Sequence, residues 1–185
     1  MPAQVPWWLL FVAFFLHWTF PMTLPPDLVL MHHASPLGTV ILAATARGLA
    51  GLWFDGQRHQ PDLAGWPRDD GHPLLQAAAA QLDAYWSGQA MVFDLPLDLQ
   101  GGTPFQQQVW RALCDIPPSQ TCGYGELARR VGRPSAARAV GAAVGRNPIS
   151  IVVPCHRVVG SDGRLTGYAG GLARKSHLLA LEAAR

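Results

Sequence analysis

The sequence predicts an α/β plus α fold: a small N-terminal domain with an antiparallel sheet and a helix, then a C-terminal helical domain carrying a helix-turn-helix. Three observations lead there. Short β-rich runs separated by tight turns crowd residues 28–54. Helical spacing with cap residues takes over in the second half. The charge also changes sign along the 185 residues. Residues 1–100 carry three Arg against eight Asp, a net −5, while residues 101–185 carry ten Arg and one Lys against two Asp and two Glu, a net +7. A basic half points to a polyanionic partner, nucleic acid first, and the bland alternative is an ordinary solvated surface.

The chain opens on an apolar run, Val5 to Phe20, whose only polar residues are His17 and Thr19. It is short for a membrane span of about 20 residues. It also lacks a basic leader, since no Lys or Arg precedes Arg47. Three readings fit: a membrane anchor, an interfacial segment, or an extension upstream of a start at Met22. The third is favoured. Residues 1–21 are therefore set apart as an extension foreign to the natural product, and no membrane partner is expected unless residues 5–20 are native.

Domain one is placed at residues 22–100. Its strands are LVLMHHAS, GTVILAAT and LAGLWF, divided by turns at Ser35–Gly38 and Ala46–Gly48. Such short connections suit antiparallel pairing, because parallel strands need long crossovers. A Pro/Gly-rich loop follows. The run PLLQAAAAQLDAYWSG then reads as a helix, with Leu74 or Leu75, Ala78, Leu82 and Tyr85 on one face and Gly88 as its stop. Phe93 to Gly102 reads as a strand or extended linker.

Domain two is placed at residues 101–185. Thr103 can N-cap a helix with Pro104 at its first position, and Phe105, Val109 and Leu113 line one face. The IPPSQT segment breaks it. YGELARRVG and RPSAARAVGAAVGRNP form two short helices, the second opened by Pro134 and closed between Gly145 and Pro148. That second helix is almost all Ala and Gly around Arg138. Small residues suit close approach to a minor groove, and one projecting arginine can occupy space inside a duplex. Tight helix packing is the bland alternative.

The three cysteines, Cys114, Cys122 and Cys155, form no CxxC pair, which argues against a disulfide framework and a zinc site and for a reduced, cytoplasmic setting. Cys155 stands in IVVPCHRVV, directly before His156 and Arg157. Neighbouring cations lower a thiol pKa and make it a nucleophile. On a strand, however, adjacent side chains point to opposite faces. Ile151–Val153 and Pro154 read as a stiff strand ending in a turn. Either the backbone turns at Cys155 or a water relays its proton to His156. A buried, inert cysteine remains the structural alternative.

PCHRVV, with NPISIVV before it, GYAGGLARKSHLLALE after it, and FQQQVWRALCDIP and YGELARRVGRPSAARAVGAAVGRNP upstream, resembles the methylated-DNA–protein-cysteine methyltransferases, suicide repair proteins for O6-alkylguanine. The resemblance is strong over residues 103–185 and weak over the N-terminal half. It implies a ribonuclease-H-like first domain and a winged-helix-like second one. It implies that Cys155 accepts the alkyl group, with His156 as base through a water and Glu182 polarising His156. Asn147 is then the residue that orders the active-site turn, and Tyr124 the donor to the departing guanine. Arg138 is the finger that fills the gap left by the flipped nucleotide, and Ala136 and Ala137 are DNA contacts beside it. Val158 and Ala169 contact the base edges, Tyr168, Gly170 and Gly171 shape the pocket lip, and Arg157 belongs to the pocket. The partner is double-stranded DNA carrying O6-alkylguanine, with O4-methylthymine as a further substrate, bound by a monomer. No metal and no cofactor are expected.

Three positions depart from the family pattern: Ser119 stands where Gly is common, Gly123 where Ser is common, and Ala169 where some members have Ser. Three rivals remain: a lesion sensor without transfer activity, a thiol hydrolase using Cys155 and His156, and a sequence-specific transcription factor. Sensors of that kind lack the acceptor cysteine. A hydrolase would leave Arg138 without purpose, and the Ala-rich helix offers few base-reading groups.

Overall fold

The computed structural model describes residues 27–184. The apolar run at residues 5–20 and the start proposed at Met22 lie outside them. The N-terminal part is a three-stranded antiparallel sheet, β1 (Val29–His33), β2 (Val40–Thr45) and β3 (Gly48–Phe54), in the order β1-β2-β3. Helix α1 (Pro73–Trp86) packs on it. The C-terminal part holds α2 (Pro104–Cys114), α3 (Tyr124–Arg130), α4 (Ala137–Gly145) and α5 (Leu172–Ala183). A two-stranded parallel ribbon pairs β4 (Cys122–Gly123) with β5 (Val158–Val159). This is the small antiparallel-sheet domain plus helical domain that the sequence predicts.

Side-chain alternation explains the sheet. Val40, Leu42 and Ala44 of β2 face α1 and the C-terminal helices, while Ile41 and Ala43 face the opposite way with Trp53 and Leu28. An irregularity between Ala43 and Ala44 resets the pairing with β3. Gly51 is needed there, because a Cβ would stand 1.9 Å from the ring of Trp53. In α1 it is Leu75, with Ala78, Ala79, Leu82 and Tyr85, that is buried.

One hydrophobic core runs from the sheet through α1 into the C-terminal helices. The segment between the halves is extended rather than a regular strand. Leu97 makes a single parallel bridge to Leu49, with the Leu49 amide donating to Pro96 O and the Asp98 amide to Leu49 O, each at 2.8 Å.

The α2 N-terminus forms as the sequence dictates. Thr103 accepts from the Gln106 amide, the Gln106 side chain accepts from the Thr103 amide, and Pro104 sits in the first turn. The indole of Trp110 donates to Ala143 O at 2.8 Å and locks α2 against α4. Two expectations need correction. Pro134 lies in the turn between α3 and α4, and α4 starts only at Ala137. Gly132, at φ +68, turns the chain there, and the Ala136 amide bonds back to Arg133 O, so the turn closes on itself first. Ile151–Pro154 is not a strand either: it is a run of turns leading into a 3₁₀ turn at Cys155–Arg157.

Candidate active site

The turn that carries Cys155 is shaped from outside. The edge of β3 grips it: the Leu52 amide donates to Pro148 O and the Ser150 amide to Leu52 O, both at 2.9 Å. That long-range pairing is a single parallel bridge between Leu52 and Ile149, and it fixes the Pro148 carbonyl and the Ser150 amide against the sheet. Ile151 then adopts φ +71, an unusual position for a β-branched residue and one held in place by its buried setting. The Val153 amide closes the turn on Ile149 O.

Asn147 ties the loop to the thiol. It is buried; its Oδ1 accepts from the Ile149 amide at 3.0 Å, and its Nδ2 donates to Val153 O at 2.8 Å and to Cys155 Sγ at 3.0 Å. Behind the thiol, His156 is fully buried and its Nε2 meets Glu182 Oε1 at 2.8 Å. Its Nδ1 makes no hydrogen bond to protein among the described residues. The carboxylate of Glu182 is crowded with donors. Arg157 donates Nε to Oε2 at 2.9 Å and Nη2 to Oε1 at 2.8 Å, and Tyr85 OH donates to Oε1 at 2.9 Å.

Electrostatics follow from burial and these bonds. Burial alone would raise the Glu182 carboxyl, but its bonds to His156 and Arg157 overcome this and hold it at about 2. Burial lowers the His156 imidazole further than Glu182 raises it, so the ring rests neutral. Burial pushes the Cys155 thiol up to about 11, against the pull of the Asn147 bond and the nearby Lys175 ammonium. The resting site is thus a protonated thiol beside a neutral base backed by a carboxylate. A neutral base can take the thiol proton when an electrophile arrives, as in other activated-nucleophile pairs.

A cleft of about 480 Å³ is lined by Tyr124, Gly141, Ala142, Thr166, Tyr168 and Ala169, among others. Tyr168 is buried at the cleft wall, and burial, with Cys155 next, raises its phenol well above the ordinary range. The ribbon fixes Tyr124 relative to Cys155, since β4 ends at Gly123 just before Tyr124 and β5 begins at Val158 just after the 3₁₀ turn. Thr166 Oγ1 donates to Tyr124 OH at 3.1 Å and holds the phenol at the cleft wall.

The structure brings together Cys155, His156, Glu182 and Asn147, and sets Tyr124, Tyr168 and Ala169 in the cleft, with the buried Gly170 following in the chain. Arg157 is corrected: it does not line this cleft. Its guanidinium is buried on Glu182 and Ile116 O, because only a paired position can hold a buried charge. Val158 is buried in β5 with its carbonyl taken by Lys175 Nζ at 2.5 Å. Arg138 is exposed one residue into α4 and makes no ion pair among the described residues, with Ala136 and Ala137 half-buried beside it. Tyr85, Thr166 and Lys175 escaped the sequence reading. Each has a partner far off in sequence or bonds through an ordinary-looking residue.

The family comparison decides between the readings of such a site. Residues 104–184 match the DNA-binding domain, and residues 30–99 the ribonuclease-like domain, of the 6-O-methylguanine DNA methyltransferase family. The chain belongs to that family. A methylated-DNA–protein-cysteine methyltransferase of Mycobacterium leprae is 51% identical over 148 residues, 80% of this chain and 88% of that protein. One from Methanosarcina barkeri is 49% identical over 149 residues, 80% and 92% of the two chains. The crystal structure of the Mycobacterium tuberculosis O6-methylguanine methyltransferase superposes with a TM-score of 0.78 at 47% identity, covering 85% of this chain and 94% of that one. The same mycobacterial protein in complex with DNA gives 0.76 at 46% identity, covering 85% and 92%. Among the described residues, no helix of this family member is long and apolar enough to cross a membrane.

Proposed function

We propose that this protein repairs O6-methylguanine in double-stranded DNA by moving the methyl group onto its own Cys155, once per molecule. The observation that carries the reading is the buried His156–Glu182 pair directly behind a thiol held by Asn147. The exposed small face of α4 approaches the minor groove and Arg138 fills the space of the extruded nucleotide. Extrusion costs a few kcal/mol, less for a poorly paired damaged base. The flipped base enters the cleft between Tyr124 and Tyr168.

The step balances without a cofactor. His156 takes the thiol proton through a water at Nδ1, and the imidazolium is held by Glu182. The thiolate attacks the methyl carbon in line, the S–C bond forms and the C–O6 bond breaks, and the electron pair leaves on guanine. Tyr124 donates its proton to the base and is reprotonated from the imidazolium side. The net result is S-methylcysteine and guanine. The thioether has no return route, so turnover stops at one. The proposal extends to O4-methylthymine, a smaller base with the same O-methyl chemistry. The protein acts as a monomer in the cytoplasm, a setting that suits three free cysteines.

The test is loss of lesion from a duplex with one O6-methylguanine at increasing protein. The expected result is one lesion repaired per protein molecule and none by Cys155→Ala. Continued turnover, or repair by Cys155→Ala, would overturn the reading.

A further inference from the structure

The acidic N-terminal half holds three arginines, and two of them are neutralised. Arg47 pairs with Asp98 and Arg68 with Asp70. Arg58 has no ion pair among the described residues and stands exposed on the rim of the cleft, with His59 beside it and Arg146 from the end of α4 facing them. Two guanidinium cations and an imidazole thus converge at one rim with no acid among the residues that line it.

The loop carrying Arg58 and His59 is built rather than loose. Gln57 is buried and its Oε1 caps the Phe54 amide at 3.0 Å, and Gln60 Oε1 accepts from the Gly56 amide at 2.8 Å. The Arg58 amide donates to Ala169 O at 3.1 Å, which fastens the loop to the lip of the cleft. His59 itself sits at φ +62, a conformation that costs a non-glycine residue energy and tends to be kept for function. Burial, then Arg146 and Arg58, hold its imidazole below the ordinary pKa, and no carboxylate figures among the groups that shift it.

Like charges held together repel unless an anion sits between them. We infer that Arg58 and His59 of the N-terminal domain, with Arg146 of the helical domain, grip backbone phosphates of the DNA strand whose nucleotide enters the cleft. The inference rests on the function proposed above and adds a second DNA-binding element, contributed by the domain whose overall charge is negative. Its ligand is the phosphate itself, so the contact carries no sequence preference.

The experiment measures binding of undamaged 16-base-pair duplex by fluorescence anisotropy across a salt series, for the full chain and for Arg58→Ala, Arg58→Lys and Arg58→Ala/His59→Ala. Each lost phosphate contact should lower the slope of log K against log salt by about 0.9. Arg58→Ala is expected to weaken binding about three- to tenfold and to flatten the slope by about one, with Arg58→Lys restoring most of the slope. Arg68→Ala removes the same charge away from the cleft and should leave both unchanged. Since only the Arg58 amide bonds to Ala169, the loop should keep its shape, checked by thermal unfolding. Wild-type affinity and slope in the double variant would overturn the inference while leaving methyl transfer intact. A flattened slope in a protein that never methylates Cys155 would uphold the grip and sink the repair reading.

Discussion

Replacing Glu182 by glutamine should cost this protein roughly 3 kcal/mol of stability at neutral pH, and the loss should fade in acid. The magnitude follows from the carboxyl's pKa. Folded, it lies near 2, against an ordinary 4.5, and that difference is worth roughly 3 kcal/mol of folding free energy. The side chain is fully buried, so solvent offers no discount. The same figure falls within the range for leaving a buried arginine unpaired, about 3–5 kcal/mol. Because the folded pKa is depressed, the stabilisation is fully present above pH 4.5 and is lost as pH falls through 4.5 toward 2. By pH 3 roughly 2 kcal/mol of it should be gone in the wild type. Glutamine has no such titration. Urea unfolding at pH 7, 5, 4 and 3 would therefore show the gap between the two proteins narrow by roughly 2 kcal/mol. A constant gap, or one under about 1 kcal/mol at pH 7, would refute the claim that Glu182 is an ionised hub for His156, Arg157 and Tyr85.

Other substitutions probe the surrounding bonds one at a time. Asn147→Ala should slow methyl transfer about ten- to a hundredfold, the worth of one hydrogen bond to a charged sulfur, while leaving affinity for undamaged duplex unchanged; single-turnover rates and anisotropy measure the two. Tyr85→Phe removes only the hydroxyl on Glu182 and should lower stability by about 2 kcal/mol in urea unfolding. Ser119→Ala should cost about 1 kcal/mol, because the hydroxyl donates to Glu182 O at 2.5 Å. Ser119→Gly loses the same bond but relaxes φ +64, so thermal unfolding should place it above the alanine variant.

The elements that were legible in the sequence are those fixed by neighbours in sequence. Thr103, Pro104 and Gln106 make the α2 cap within four residues, and the alternation of β2 shows its two faces directly. What stayed hidden is set by distant partners. Ile151–Val153 has strand composition, yet β3 anchors the Pro148 carbonyl and Ser150 amide just before it, Ile151 takes φ +71, and the Val153 amide turns back onto Ile149 O. Tyr85 reads as one more apolar position of α1, and its hydroxyl finds Glu182 ninety-seven residues on. Arg157 reads as a pocket cation by its place beside His156, whereas the 3₁₀ turn rotates it onto Glu182. Ser119 departs from the common glycine at a left-handed position and recovers part of that cost through its bond to α5. Cys155 and His156 stood out by their adjacency, with an inert cysteine still open, and Glu182 was visible only through the resemblance. Composition says nothing about which of three cysteines is held by an asparagine.

The most direct test is a peptide mass map after reaction with a duplex bearing one O6-methylguanine. The account predicts one methyl group on the peptide containing Cys155, and none on those containing Cys114 or Cys122. A repaired duplex with Cys155 unmodified, or with the methyl on another cysteine, would contradict it.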